Sequence, residues 1–125
     1  MPTSLSVDVF QADIGSGAHN FTSDTLAIAL TNSPINADVT NVSEITQIDY
    51  TNASSLDLSL TTSNDNGDTK HTATDLTLTA SGAVGPWSWA LIYNKANGKP
   101  IRRFQFPVAL TLADTDTFLF DFNDS

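Results

Sequence analysis

Apolar and polar residues alternate along most of this chain with a period of two, the spacing of a strand that buries one face. Leu5, Val7 and Val9 alternate with Ser6 and Asp8 and predict a first strand. Residues 11–24 hold Gly15-Ser16-Gly17 and His19-Asn20, which predicts a surface loop. A compact apolar strand follows at Thr25-Leu26-Ala27-Ile28-Ala29-Leu30 and stops at Asn32-Ser33-Pro34. The spacing then changes. Val42, Ile45 and Ile48 lie three apart, and Thr40 or Asn41 with Glu44 nearby provides a cap. One or two turns of helix are therefore expected between Thr40 and Ile48.

Leu56, Leu58 and Leu60 restore the strand period, and Asn64-Asp65-Asn66-Gly67-Asp68 predicts a turn into a second run, Thr69 to Ala80. Past the break at Ser81–Pro86, the pattern puts Trp87, Trp89, Leu91 and Tyr93 on one face and Ala90 and Ile92 on the other. Apolar residues on both faces predict a central strand, covered on both sides. Asn97-Gly98 turns the chain into a strand over Ile101–Phe106, and Thr117–Phe122 makes the last one. Seven or eight short, evenly spaced strands predict an all-β fold: an antiparallel β-sandwich, with the jelly roll as one topology and at most one short helix. Neither an internal repeat nor a linker divides the sequence, so residues 1–125 are expected to form a single domain.

Composition narrows the function classes. A chain of 125 residues buries about two-thirds of its unfolded surface and needs no staple. There is no cysteine, which removes disulfide scaffolds, thiol catalysis, iron–sulfur clusters and thiolate zinc sites. No apolar run nears the roughly 18 residues of a membrane-spanning helix, and Met1-Pro2-Thr3-Ser4 lacks the basic and apolar regions of a secretory leader. A soluble chain synthesised in the cytoplasm is expected, with no membrane partner. Thirteen of the fourteen acids are Asp, Glu44 is the exception, and the net charge is −9. That charge repels phosphate backbones, so nucleic acid is not an expected partner.

Candidates for chemistry are few. Asn64–Asp68 resembles part of a calcium loop, but the acid such a loop requires about six residues past its glycine is missing, Asp75 being out of register. His19 and His71 are the only imidazoles, and neither lies in a nucleophile, phosphate-loop or zinc motif. Asp114 and Asp116 fit a turn better than a glycosidase carboxylate pair. No catalytic residue, cofactor or metal ion is expected, and the chain does not read as an enzyme. Trp87, Trp89 and Tyr93 are the best candidates for a sugar-stacking platform, yet a sandwich core demands the same side chains, and core is the stronger reading. The sequons at Asn20, Asn41 and Asn52 are coincidences of a chain rich in Asn, Ser and Thr. One asymmetry of charge is left. Lys95, Lys99, Arg102 and Arg103 fall in one turn-plus-strand segment of an otherwise acidic chain. They are either a solvated hairpin tip or a protein interface, docking an acidic partner or the next copy of the chain.

Five stretches carry a resemblance: Asp24–Asn32 (DTLAIALTN), Ile45–Asn52 (ITQIDYTN), Leu76–Gly82 (LTLTASG), Gly85–Asn94 (GPWSWALIYN), and the close from Leu110–Asp114 (LTLAD) through Phe118–Phe122 (FLFDF). In this order they resemble a family of small virion structural proteins of tailed bacteriophages, divided between head decoration and tail-associated components. The segment Arg102–Phe106 departs from the family pattern, which tends to a glycine-containing strand there. The resemblance implies a non-enzymatic capsid decoration (cement) protein on the outer surface of the virion, with the major capsid protein as partner. It also implies a homo-oligomer, for which a trimer suits the three-fold positions of an icosahedral shell. A tail, fibre or baseplate component with a carbohydrate-binding face is the alternative.

Overall fold

A computed structural model describes residues 3–5, 7–9, 13, 16–17, 25–58, 60–65, 68–73 and 75–120, of which 3–5, 60–65 and 68–73 are described by their backbone. The protein is an all-β antiparallel sandwich, and Val42–Glu44 forms a 3-10 turn within the stretch expected to be helical. Nine strands are seen among the described residues: β1 (Thr3–Leu5), β2 (Leu26–Thr31), β3 (Asp57–Leu58), β4 (Leu60–Asp65), β5 (Asp68–Ala73), β6 (Leu76–Thr79), β7 (Val84–Asn94), β8 (Pro100–Leu112) and β9 (Thr117–Phe120). Five form a sheet in the order β1-β8-β7-β2-β3, and β4 with β5 form a hairpin shorter than expected, because the predicted Thr69–Ala80 run is divided and its second part, β6, pairs with β9 instead.

The centre of the sheet is the β2–β7 pair, in register from Leu26 opposite Asn94 to Thr31 opposite Trp89. All six residues of β2 are buried, as a strand covered on both faces requires. One face packs on the β6–β9 ladder through Leu26, Ile28, Leu30, Leu78, Trp87 and Phe120. Phe118 sits edge-on to three rings there: Trp87 at 5.7 Å, Phe106 at 5.8 Å and Phe120 at 4.9 Å between centroids. These are the T-shaped arrangements that ring quadrupoles favour. The other face carries Ala29 and Leu91 and is covered by Val7, Ile35 and Val39 from irregular chain.

The 3-10 turn ends where its residues dictate. Asn41 is the N-cap and its side chain accepts the Ser43 N–H at 3.0 Å, while Glu44 accepts the backbone N–H and hydroxyl of Thr40. Of the two residues offered as caps, Asn41 takes the role, and Thr40 is held by Glu44. At the β7–β8 hairpin, Gly98 has φ +76, a left-handed conformation that strains any larger residue, and a Cβ there would also push on the Asn41 side chain at 2.6 Å. The Asp114–Asp116 stretch shapes a turn, with the Asp116 carboxylate accepting the Ala113 N–H at 2.9 Å.

Three further sequence expectations are corrected. The first strand stops at Leu5, because Val7 is buried against the irregular cover of the sheet rather than paired in it. The Leu56–Leu60 run is split: Asp57–Leu58 pairs with β2, whereas Leu60 opens a hairpin of its own. Trp87 and Trp89 lie on opposite faces of the sheet, Trp87 in the sandwich core and Trp89 beneath the irregular cover. Register shifts between Val84, Trp87 and Trp89 break the period of two. Gln105 pairs with Trp89 and Leu110 with Trp87, so Phe106–Ala109 bulge opposite Ser88 alone. Pro107, which has no N–H to give a ladder, stands in that bulge.

Candidate functional site

The four basic residues singled out from the sequence are not gathered into one patch. Lys95, just past β7, reaches across β2 to Asp57 of β3, its Nζ donating to both carboxylate oxygens at 2.9 and 3.1 Å. The carboxylate raises the ammonium pKa above its ordinary value. Lys99 lies 4.0 Å from Asp13. Arg102 and Arg103 are neighbours on a strand and so point to opposite faces of the sheet. Arg102 is exposed opposite Ile92. Arg103 is spent on the fold: its Nη1 donates to the Ile35 carbonyl at 2.9 Å, and the guanidinium lies 5.8 Å from the Trp89 ring centre.

The aromatic platform does not form either. Trp87 is fully buried, while Trp89 and Tyr93 are half-buried on the other face. His71 lies on β5, where the backbone alone is described, and His19, the Asn20 sequon, the middle of the predicted 64–68 turn at Asn66-Gly67 and the end of the predicted last strand at Asp121-Phe122 lie outside the described residues. Among the described residues no three His, Cys, Asp or Glu side chains are grouped to hold a metal ion, and no helix is long and apolar enough to cross a membrane. The remaining sequon asparagines are engaged in the fold, Asn41 as a cap and Asn52 through its Nδ2 to the Ala83 carbonyl at 3.2 Å.

A site that the sequence reading missed lies on the edge of β2. The chain pairs with this edge at Ile48, whose N–H donates to the Leu30 carbonyl at 2.9 Å, then swings out and returns at Leu56, whose carbonyl accepts the Ile28 N–H at 3.0 Å. The hydroxyl of Tyr50 fills the gap left between them. It accepts the Leu30 N–H and donates to Gln47 Oε1, both at 2.7 Å. Burial pushes this hydroxyl's pKa up to about 12. Beside it opens a cleft of about 280 Å³, floored by Ala27, Ile28 and Leu56 and rimmed by Tyr50, Tyr93, Gln47, Ser55 and the Asp57–Lys95 pair. Asp57 and Lys95 are 38 residues apart, and the pairing that joins them is fixed only by the β3–β2–β7 order.

A second surface feature is the β8 bulge. It turns Phe106 into the core and leaves Pro107, Val108 and Ala109 exposed, Val108 to 66%. Among the described residues no strand pairs with the outer edge of β8 beyond Gln105, where β1 ends. Comparison of the chain with protein-family models, characterised proteins and solved structures gave no match in any of the three.

Proposed function

We propose that this chain is a structural protein of a tailed-phage virion that decorates the outer surface of the capsid, bound to the major capsid protein as a homo-oligomer. The observation that carries the reading is the order of the family-like stretches. They fall in turn on β2, on the 45–52 run beside it, on β6, on β7 and on the β8–β9 end. The resemblance therefore spans the framework of the sandwich and not one isolated motif. A net charge of −9 suits an outer surface, since the inner wall of a filled capsid faces DNA phosphate. The exposed apolar strip at Pro107–Ala109 offers surface that gains by being covered. Small contacts repeated by symmetry add up to firm attachment, which favours an oligomer, with a trimer at three-fold positions the simplest case.

A tail, fibre or baseplate component is the second reading, favoured by the open cleft at the β2 edge, because a part that meets the host surface needs a ligand site. Density traced in a cryo-EM map of the virion separates the two. Copies arrayed on the capsid lattice support decoration, copies confined to the tail support the second reading, and absence from the virion rejects both. The basic segment is tested by replacing Lys99 and Arg102 with Gln while keeping Arg103, which the fold uses. Lower occupancy on capsids stripped of this protein, most marked at low salt, is the result expected of an electrostatic contact.

A further inference from the structure

The cleft beside Tyr50 combines an apolar floor with polar groups whose bonding is incomplete. The Tyr50 hydroxyl is committed to Leu30 and Gln47, and this leaves the amide N–H groups of Gln47 for a ligand. Ser55 Oγ accepts the Asp57 N–H at 3.2 Å and keeps its own proton to donate. Each Asp57 oxygen takes one bond from Lys95 and retains a second lone pair, while the ammonium keeps its third proton to donate. The rim thus offers donors and acceptors side by side.

Charge decides which ligand suits it. In a chain of net charge −9, this rim pairs one carboxylate with one ammonium and is neutral. A free anion would have to compete with Asp57 for Lys95, and a free cation with Lys95 for Asp57. A neutral molecule bearing several hydroxyls displaces neither and satisfies both. The volume, about 280 Å³, is at the small end of ligand clefts and has room for one sugar ring. Ala27, Ile28, Leu56 and the two tyrosines meet the apolar C–H faces of such a ring.

We propose that this cleft is a saccharide subsite that takes one neutral pyranose ring, with Asp57 and Lys95 on adjacent hydroxyls, Gln47 on a third, and Tyr93 as the apolar wall. The proposal concerns the ligand and not the location, so it is decided whether or not the chain decorates a capsid.

The test is a titration of the full-length, isotope-labelled chain followed by amide chemical shifts. Four neutral probes are used, namely the methyl glycosides of glucose, galactose and mannose and free N-acetylglucosamine, with inorganic phosphate and methylammonium as charged controls. At least one sugar is expected to shift amides within 47–57 and 93–95. Asp57→Asn is expected to weaken that sugar by about tenfold or more, the loss of a charge-assisted hydrogen bond. Lys95→Gln is the second variant, read alongside it in case the first disturbs β3, and Lys99→Gln is expected to bind as the parent does. Four silent sugars, shifts centred elsewhere, a stronger response to phosphate or methylammonium, or unchanged affinity in both Asp57→Asn and Lys95→Gln would each overturn the proposal.

Discussion

The two faces of the central sheet are buried by different means. The face toward β6 and β9 meets another ladder, and its contacts are large and apolar: Trp87, Leu30, Leu78, Phe106 and the edge-on rings around Phe118. The opposite face meets chain with no regular structure, and its core is made of smaller groups, Ala29, Val7, Val39, Ile35 and Leu91. Irregular chain carries peptide groups that no ladder satisfies, so each needs its own partner. Those partners are present. Asp8 N–H donates to the Ala37 carbonyl and Val42 N–H to that of Gly98, both at 2.8 Å, Asn41 Nδ2 donates to the Asn97 carbonyl at 3.1 Å, and Arg103 holds Ile35. One face is held by area and the other by clamps.

The sharpest way to break this contrast is Trp87→Ala, which opens a cavity in the area-held face. A loss of about 3 to 5 kcal/mol is expected by denaturant unfolding, and Trp89→Ala, which removes a half-buried ring, is expected to cost clearly less. Equal losses for the two would mean that the faces are not distinct. Next in size is Leu91→Ala on the clamped face, at about 2 to 3 kcal/mol, toward the lower end for such a change because irregular chain closes over a void more readily than a ladder does.

Arg103→Met keeps a long apolar side chain at this position and removes both the clamp on Ile35 and the guanidinium over Trp89. About 1 to 2 kcal/mol is expected, the size of a charge-assisted hydrogen bond. Its signature is local: faster amide exchange of residues 35–45, with the β6–β9 ladder unchanged. Uniform acceleration across both faces would deny Arg103 a clamping role.

The smallest effect is seen only at alkaline pH. Folded Tyr50 keeps its proton to about 12, whereas an unfolded tyrosine releases it near 10. The folded form is therefore at full stability below pH 10 and loses stability as pH rises from 10 to 12. Tyr50→Phe leaves the Leu30 N–H without its hydroxyl partner and is expected to cost about 1 kcal/mol at neutral pH. The same variant is expected to flatten the alkaline decline. Thermal unfolding across that pH range measures both, and parallel declines in parent and variant would remove Tyr50 as the cause.

What could be read from the sequence was whatever is settled locally. The continuous apolar run of β2, the Asn97-Gly98 turn, the β4–β5 hairpin and the capped 3-10 turn each follow from residues within a few positions of one another. The faces of Trp87 and Trp89 could not be read in this way, because the slip that separates them is imposed by β8, and Pro107 was its one local sign. Val7 misled for a related reason. Alternation marks burial, and burial under irregular chain leaves the same trace as burial in a sheet. The cleft was hidden more completely, since Asp57 and Lys95 meet only through the order of strands, and neither lies in a motif.

The hydroxyl of Tyr50 on the β2 edge has one more consequence, for behaviour in a crowd. Beyond β2 the sheet has, among the described residues, the two residues of β3, which would leave most of that margin bare and able to recruit strands from other molecules into fibrils. Instead Leu58 and Asp57 pair with Leu26 and Ala27, the Leu56 carbonyl takes Ile28, Ile48 takes the Leu30 carbonyl, and a phenol takes the Leu30 amide. A side chain is a poor template, because it ends the ladder without offering a new row of peptide groups to the next molecule. The margin thus resists templated aggregation without a long further strand, an advantage to any protein that reaches high local concentration before it finds its place.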